Sequence, residues 1–403
     1  WKTALIYVFP SNRLYFFEER NPHMLVLDDT YISPEVFEFA EATQEPIFDN
    51  EPARRYVAEG KKLNIVDNSK AAEGRIIAFS EAYLDEVKRY CDKQTARAIS
   101  LCKDKAECRR VLAPLFPDYV FEEFDLDQLA EVDPSSFTLP VVLKPSTGFF
   151  SLGIYPIFSV EDWNAACADI RSHSSSWSNQ YGTTVVNNSK FLVESYLNGE
   201  EYAIDAYFNE QGETVILDIL KHDFAGTEDV SDRLYYTSKA VVEETMQAMK
   251  DFLIQSNKLL GFKNFPVHVE VRVGEDGVVY PIEFNPLRFA GLCTTDLSFF
   301  AYGFKTYESY LNNIQPNWDE VLAGKEGKRY SMVMLSTDGT SLPDHYSFDY
   351  DAVQQKFSKV LTCRKLNAKQ YNTFGVLFTE ASDEAWQKES DYILRSKLEE
   401  FLS

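Results

Sequence analysis

Three apolar runs, Thr3-Ala-Leu-Ile-Tyr-Val-Phe9, Met24-Leu-Val-Leu27 and Ile76-Ile-Ala-Phe79, punctuate the start of the chain without the polar alternation of a half-exposed strand. Unbroken apolar runs of this length fit strands of a parallel sheet, which is covered on both faces. Between them, Pro34 to Ala42 and Pro52 to Glu59 carry helical patterning. The alternation predicts an α/β unit over residues 1–90. No GxGxxG follows the first run, so a dinucleotide site there has little support.

Residues 93–113 form a helix candidate with Ala96, Ile99, Ala106 and Val111 among its apolar positions, stopped by Pro114. Leu139 to Lys144 reads as a strand ending in a lysine, followed by a loop from Pro145 to Gly153. The Ser/Asn-rich stretch Ser172 to Ser189 reads as an exposed insertion. Phe191 to Glu194 and Glu201 to Phe208 read as strands around the turn Leu197-Asn-Gly-Glu200. A helix from about Ser238 to Leu260 meets Gly261, a residue suited to a left-handed cap. Beyond Tyr330, strand signals at Ser331 to Ser336 and Phe374 to Thr379 precede a helix near Ser382, with Trp386, Leu394, Leu398 and Phe401 on one stripe.

The chain has 403 residues, more than the roughly 250–300 at which a single core stops growing, so two or three packed units are expected. A formal charge of -23 argues against a nucleic-acid partner, which requires a basic face. An anionic nucleotide remains compatible, because a few local lysines and backbone amides suffice to hold one. Six cysteines without a CxxC or Cys/His cluster argue against a zinc site and a secreted disulfide framework and favour buried free thiols. No apolar run reaches about 18 residues and no signal peptide opens the chain, so a cytoplasmic protein without a membrane span is expected.

The most informative segment is Val267-His-Val-Glu-Val-Arg-Val273, Gly274-Glu-Asp-Gly277 and Val278-Val-Tyr-Pro-Ile-Glu-Phe-Asn285. Asp-Gly between alternating runs predicts a hairpin with a type I′ turn. Counting outward from Asp276-Gly277, Glu275 faces Val278 and Glu270 faces Glu283. Opposed like charges are destabilising, and a divalent cation reverses that sign. Asn285 shares the face of Glu283 and adds an amide oxygen, a third hard ligand. A solvated polar face explains the pattern equally well, and Pro281 demands an edge or a bulge that would move the register by one. Upstream, Lys144 running into Thr147-Gly148 and Leu152-Gly153 sets a cation beside backbone that a polyphosphate can approach closely. Neither a P-loop nor protein-kinase motifs occur.

Taken in order, these segments resemble the ATP-grasp superfamily over roughly residues 75–295. Cys102-Lys-Asp-Lys105 and Val142-Leu-Lys144 resemble its two phosphate-binding lysine segments. The loop 146–153 resembles its phosphate-covering loop, with Phe149-Phe150 where glycines are usual. Glu194-Ser-Tyr-Leu197 is similar to the adenine-reading hinge and Glu201 to the ribose-binding carboxylate. Val267 to Glu270 and Ile282 to Asn285 resemble the paired metal strands. Ile77 to Glu81, the Cys-Lys-Asp-Lys segment and His268 look most like the carboxylate-amine ligases that join amino acids, although Glu283-Phe-Asn-Pro-Leu-Arg288 is one residue longer than that group's Glu-x-Asn-x-Arg.

The resemblance implies an α/β fold, α+β in its core. Its parts are a Rossmann-like N-terminal domain at 1–90, an ATP-grasp domain at 91–330 with a lid at about 125–195, and a C-terminal α+β subdomain at 331–403. It implies ATP held by Lys105, Lys144, Ser146, Thr147, Gly148, Ser151, Glu194, Tyr196, Leu197 and Glu201. Magnesium or manganese would sit on Glu270, Glu283 and Asn285, with Lys144 and Arg288 catalytic and His268 and Arg288 facing substrate. The implied reaction activates a carboxylate as an acyl phosphate and passes it to an amine, releasing ADP and phosphate. Its partners would be small carboxylates and amines, with no nucleic acid or membrane; a homodimer is compatible. Carboxylation through carboxyphosphate and nucleotide binding without turnover are the alternatives. Lys221, His222, Asp223 and Arg233 read as a solvated loop or as pocket lining.

Overall fold

The computed structural model describes residues 23–403 apart from 127, 130, 148–152, 182–186, 227, 228 and 230. The apolar run at Thr3 to Phe9 lies outside the described residues. The first sheet, β1 (His23–Val26), β2 (Pro46–Phe48), β3 (Asn64–Val66) and β4 (Arg75–Ala78), is parallel in the order β3-β2-β1-β4. Strands β1 and β4 are buried at every position, which is why their sequences do not alternate. The helices Pro34–Thr43 and Glu51–Ala58 flank this sheet in sequence, each with proline in the first turn and capped by the Ser33 and Asn50 side chains.

The second sheet comprises β5 (Phe121–Asp125), β6 (Val141–Thr147), β7 (Tyr155–Ile157) and β8 (Asn187–Ser195), antiparallel in the order β5-β8-β6-β7. The helix Val160–Tyr181 packs Trp163, Ala166 and Ile170 against Leu143, Ile157 and Phe191 of that sheet. The serine-rich stretch expected to be an exposed insertion is therefore helical as far as Tyr181. Serine costs a helix only a few tenths of a kcal/mol per residue, too little to stop one already nucleated on a buried face.

The third sheet holds β9 (Glu200–Phe208), β10 (Thr214–Asp223), β11 (Leu234–Ser238), β12 (Phe265–Val273), β13 (Val279–Pro286), β14 (Lys328–Ser336), β15 (Val360–Lys365) and β16 (Thr373–Ser382). Its order is β13-β12-β9-β10-β11-β14-β16-β15, so the last three strands of the chain extend the same sheet as the hairpin. The helix Lys239–Leu260 lies against it, N-capped by Ser238 and ended by Gly261 at φ 71°. Met249, Phe252, Leu253 and Leu260 of this helix join Val267, Val269 and Phe284 in one core, at about 1.5–3 kcal/mol for each side chain buried.

Two further expectations are corrected. The helix expected over 93–113 is two, Lys93–Lys103 and Lys105–Leu112, broken at Asp104, whose carboxylate accepts from the Glu107 amide at 2.9 Å. Asp104 with Glu107 is a capping-box spacing inside a continuous helical period, and the cap prevails. At the end of the chain, the helix Asp383–Arg395 buries Trp386 and Ile393 with Leu394 partly buried against the same core, while Leu398 and Phe401 join that core from a following 3-10 turn rather than from the helix. No helix among the described residues is long and apolar enough to cross a membrane. Of the six free thiols, Cys102, Cys108, Cys167 and Cys293 are buried and Cys91 and Cys363 are partly so.

Candidate active site

The hairpin β12–β13 sets Glu270 directly opposite Glu283 and His268 opposite Asn285. That pairing matches the expectation, but the turn does not. Positive φ occurs at Gly277 (76°) and not at Asp276, and Val273 pairs with Val279 across a loop closed by the Gly274 amide on the Val278 carbonyl at 3.0 Å. This moves the register by one residue from a two-residue type I′ turn. A bulge opposite Glu270 and Val271, beside Pro281, moves it back. The two displacements cancel, and the carboxylates meet.

Burial first, and the Glu283 charge second, push the Glu270 carboxyl well above the usual carboxylate range. The Asn285 side-chain amide donates to Glu270 Oε1 at 3.3 Å, and Lys105 Nζ donates to Glu283 Oε1 at 2.6 Å. Two carboxylates and an amide on one face, short of positive charge, fit a hard divalent cation. Lys105 reaches them because the break at Asp104 makes it the first residue of its helix.

A second cluster lies across the cleft. Glu194 on β8 is buried between Lys144 on β6, in direct ionic contact, and Arg109, whose Nε donates at 3.0 Å. Burial opposes its ionisation, yet the Arg109 and Lys144 charges bring the carboxyl down to about 2. Arg109 also donates to the Ile282 carbonyl at 2.8 Å, tying this cluster to the bulged strand. Glu201 accepts from His222 at 2.9 Å and from Arg272 at 2.8 Å, while Arg272 holds the Leu197 carbonyl at 2.9 Å. Ser146 donates to Glu123 at 2.9 Å. Thr147 ends β6, whereas Gly148 and Ser151 lie outside the described residues.

Two adjoining clefts share Lys144, Ile154, Asp232, Glu270 and Ile282 as lining. The first also meets Lys105, Glu283, Asn285 and Arg288; the second meets Tyr196, Leu197 and Glu201. A family model described as an ATP-grasp domain matches residues 137–296, the span from β6 through the hairpin.

The chain carries an ATP-grasp domain.

No curated protein is similar to it in sequence. Among solved structures, the L-amino acid ligase of Bacillus licheniformis is similar over 96% of this chain and 99% of its own, at 16% identity and a TM-score of 0.68. The biotin carboxylase domain of the Hydrogenobacter thermophilus 2-oxoglutarate carboxylase, solved with MgADP, ADP and bicarbonate, is similar over 91% of this chain and 87% of its own, at 12% and 0.61. N5-carboxyaminoimidazole ribonucleotide synthetase of Thermotoga maritima is similar over 95% and 99%, at 13% and 0.60. At these identities the likeness is one of fold.

Around the ATP-grasp domain's clefts, the remaining predicted residues hold definite partners. Arg288 lines the first cleft and donates to Glu81 at 3.1 Å; Glu81, also in contact with Lys103, is buried, and those two cations outweigh burial to hold its carboxyl at about 2. His268 Nδ1 meets Asp205 at 2.8 Å, and the fully buried Asp205 also accepts from the Ala290 amide at 2.9 Å and from Thr295 at 2.6 Å. One carboxylate thus orients His268 and pins the loop after β13. Lys221, His222 and Asp223 sit on β10 rather than in a solvated loop. His222 lines the second cleft, whereas buried Arg233 donates to the Ile393 and Ser396 carbonyls at 3.2 and 2.7 Å.

Arg109, Arg272, Asp205 and Asp232 escaped the sequence reading. Arg272 carried a signal, alternating in step with Glu270 on a recognised strand. Arg109 lies four residues beyond Lys105, one helical turn along the same face. Asp205 carried none, because its partners His268, Ala290 and Thr295 lie far along the chain.

Proposed function

We propose that this protein is an ATP- and magnesium-dependent ligase that activates a carboxylate as an acyl phosphate and joins it to an amine, an amino acid, releasing ADP and phosphate. One observation carries the reading. A cation-deficient carboxylate pair, Glu270 and Glu283, and the cation-rich Lys144–Glu194–Arg109 cluster meet at adjoining clefts, with Arg288 lining the first.

In this reading the sheet β5–β8 and its helix form the lid, at about 125–195, over nucleotide bound along Tyr196 and Leu197. The Glu201 carboxylate keeps acceptor capacity beyond His222 and Arg272 for ribose hydroxyls. Lys105 and Lys144 neutralise phosphate oxygens. Glu270, Glu283 and Asn285 would hold magnesium, which when bound supplies charge neutralisation at the phosphates. The substrate carboxylate attacks the γ-phosphorus and ADP leaves. Arg288 then holds the acyl phosphate while the amine attacks its carbonyl and phosphate leaves. The fold likeness to an L-amino acid ligase supports an amine as the acceptor.

Release of ADP, measured with magnesium and amino acids supplied in pairs, tests the proposal. The reading expects turnover that needs both a carboxylate and an amine. Dependence on bicarbonate instead would establish carboxylation, and nucleotide binding without ADP release across the panel would leave a binding module.

A further inference from the structure

The loop that leaves β13 runs through unfavourable backbone. Leu287, Leu292 and Cys293 hold φ of 55°, 49° and 55°, a left-handed region that residues other than glycine keep only when their surroundings enforce it. The same loop lines the first cleft with Arg288, Ala290, Gly291 and Leu292. Arg288 Nη1 donates to the Phe289 carbonyl at 3.0 Å, so the course of the loop sets where that guanidinium points.

The enforcing contacts come from outside the hairpin. The Ala78 amide on β4 donates to the Leu287 carbonyl at 2.7 Å, and the Ser33 amide donates to Cys293 Sγ at 3.3 Å. At the double bend, Arg364 on β15 donates to the Cys293 carbonyl at 3.4 Å and, at 2.8 Å each, to Asp296 and to Glu35 on the helix Pro34–Thr43. Arg364 and Asp296 are both buried, and the guanidinium lies 4.7 Å from the centre of the Phe378 ring. A planar fork of donors can hold a carbonyl and two carboxylates at once, which the compact ammonium of lysine does less well.

We infer that Arg364 is a positioning residue for the reaction: acting through the Cys293 carbonyl and Asp296, it fixes the loop 287–293 and so aims Arg288 into the first cleft. The inference rests on the ligase reading above and adds to it a residue of β15, beyond the span 137–296 that the family model matches. Arg364 is not among the residues lining either cleft. Its loss leaves two carboxylates without their shared cation, and the strained loop relaxes toward ordinary backbone. A shift of about 1 Å at a positioned group costs about 100-fold in rate. Lys144, Glu194 and Glu201, which the proposed function assigns to ATP, make none of these contacts, so nucleotide affinity is spared.

The test compares Arg364→Met and Arg364→Lys with a control, Arg233→Met, which removes another buried guanidinium bound to carbonyls and a carboxylate but away from the loop. With an amino-acid pair that releases ADP, Arg364→Met should lower kcat at least about 30-fold and Arg364→Lys at least about fivefold, both with KM for ATP within about twofold. Arg233→Met should keep kcat within about threefold despite a comparable fall in melting temperature. Alkylation of Cys293, followed by mass spectrometry of its peptide, reads the loop without turnover. Its rate should rise at least about tenfold in Arg364→Met, rise less in Arg364→Lys and stay at the wild-type value in Arg233→Met. Wild-type kcat in a folded Arg364 variant, or an equal loss in Arg233→Met, would overturn the inference. If Arg364→Met does not fold, Arg364→Lys decides alone by the same two readouts. If no pair raises ADP release in the wild-type protein, the ligase reading falls by itself and alkylation decides. Faster labelling of Cys293 in the Arg364 variants then supports the loop-holding role, and an unchanged rate overturns it.

Discussion

The cleft contains two ionic clusters of opposite imbalance. On the hairpin, two carboxylates share one lysine, and Glu270 resists ionisation. On the lid side, one carboxylate is shared by Lys144 and Arg109, and Glu194 ionises far more readily than an ordinary glutamate. Both clusters are largely withdrawn from water, so neither imbalance is screened away. One cluster lacks a cation and the other an anion, and a magnesium-bound polyphosphate supplies both. Under the proposed function the difference divides recognition: the hairpin would read the metal, and the strands β6 and β8 with the helix Lys105–Leu112 would read the phosphates.

The largest expected effect comes from abolishing the hairpin's deficit. Glu283→Gln should lower turnover by about 10²–10³-fold in steady-state ADP release, as loss of one preorganised electrostatic contact does elsewhere. Metal-free stability should move by less than about 1 kcal/mol in thermal melting, because the relieved repulsion is offset by loss of the Lys105 contact. Wild-type turnover in this variant would remove the hairpin from the mechanism.

Next, Arg109→Met deletes one of the two cations around a buried carboxylate. Breaking such a pair from one side destabilises by about 3 kcal/mol, read as a fall in denaturation midpoint. A near-neutral variant would mean that Lys144 alone satisfies Glu194.

A smaller effect concerns acid. The folded Glu194 carboxyl, at about 2, lies below its unfolded value of about 4.3, so it contributes stability above pH 4.3 that is lost as pH falls toward 2. Glu81 behaves alike in the same window. Glu194→Gln should therefore lose less melting temperature than wild type between about pH 5 and pH 3, and equal slopes would contradict the buried pairing.

The smallest concerns register. Gly277→Ala meets open space but a φ of 76°, so it should destabilise by about 1 kcal/mol while leaving turnover within about twofold. A large loss of turnover would show that the turn, and not the bulge at Pro281, holds Glu270 opposite Glu283.

Much of the fold was legible where one local signal dominated. Ser238 and Gly261 bracket a helix at both ends, and buried parallel strands announce themselves as apolar runs. The break at Asp104 was obscured because the helical period runs through it, although the capping spacing was present. The helix through the serine run is hidden by a composition typical of loops, while the face that Trp163, Ala166 and Ile170 bury sets its course. At the site, the hairpin pairing emerged from counting only because two one-residue displacements cancel. The role of Asp205 depends on contacts with elements far apart in the chain, which no local pattern encodes.

Calorimetric titration of ATP into the protein, with and without magnesium, tests the divided recognition most directly. The account predicts weak binding of the bare nucleotide, opposed by the -23 charge and by Glu270 and Glu283, and markedly tighter binding once magnesium is present. In Glu283→Gln the magnesium-dependent gain should shrink. Equal affinity with and without magnesium in the wild-type protein would contradict the account.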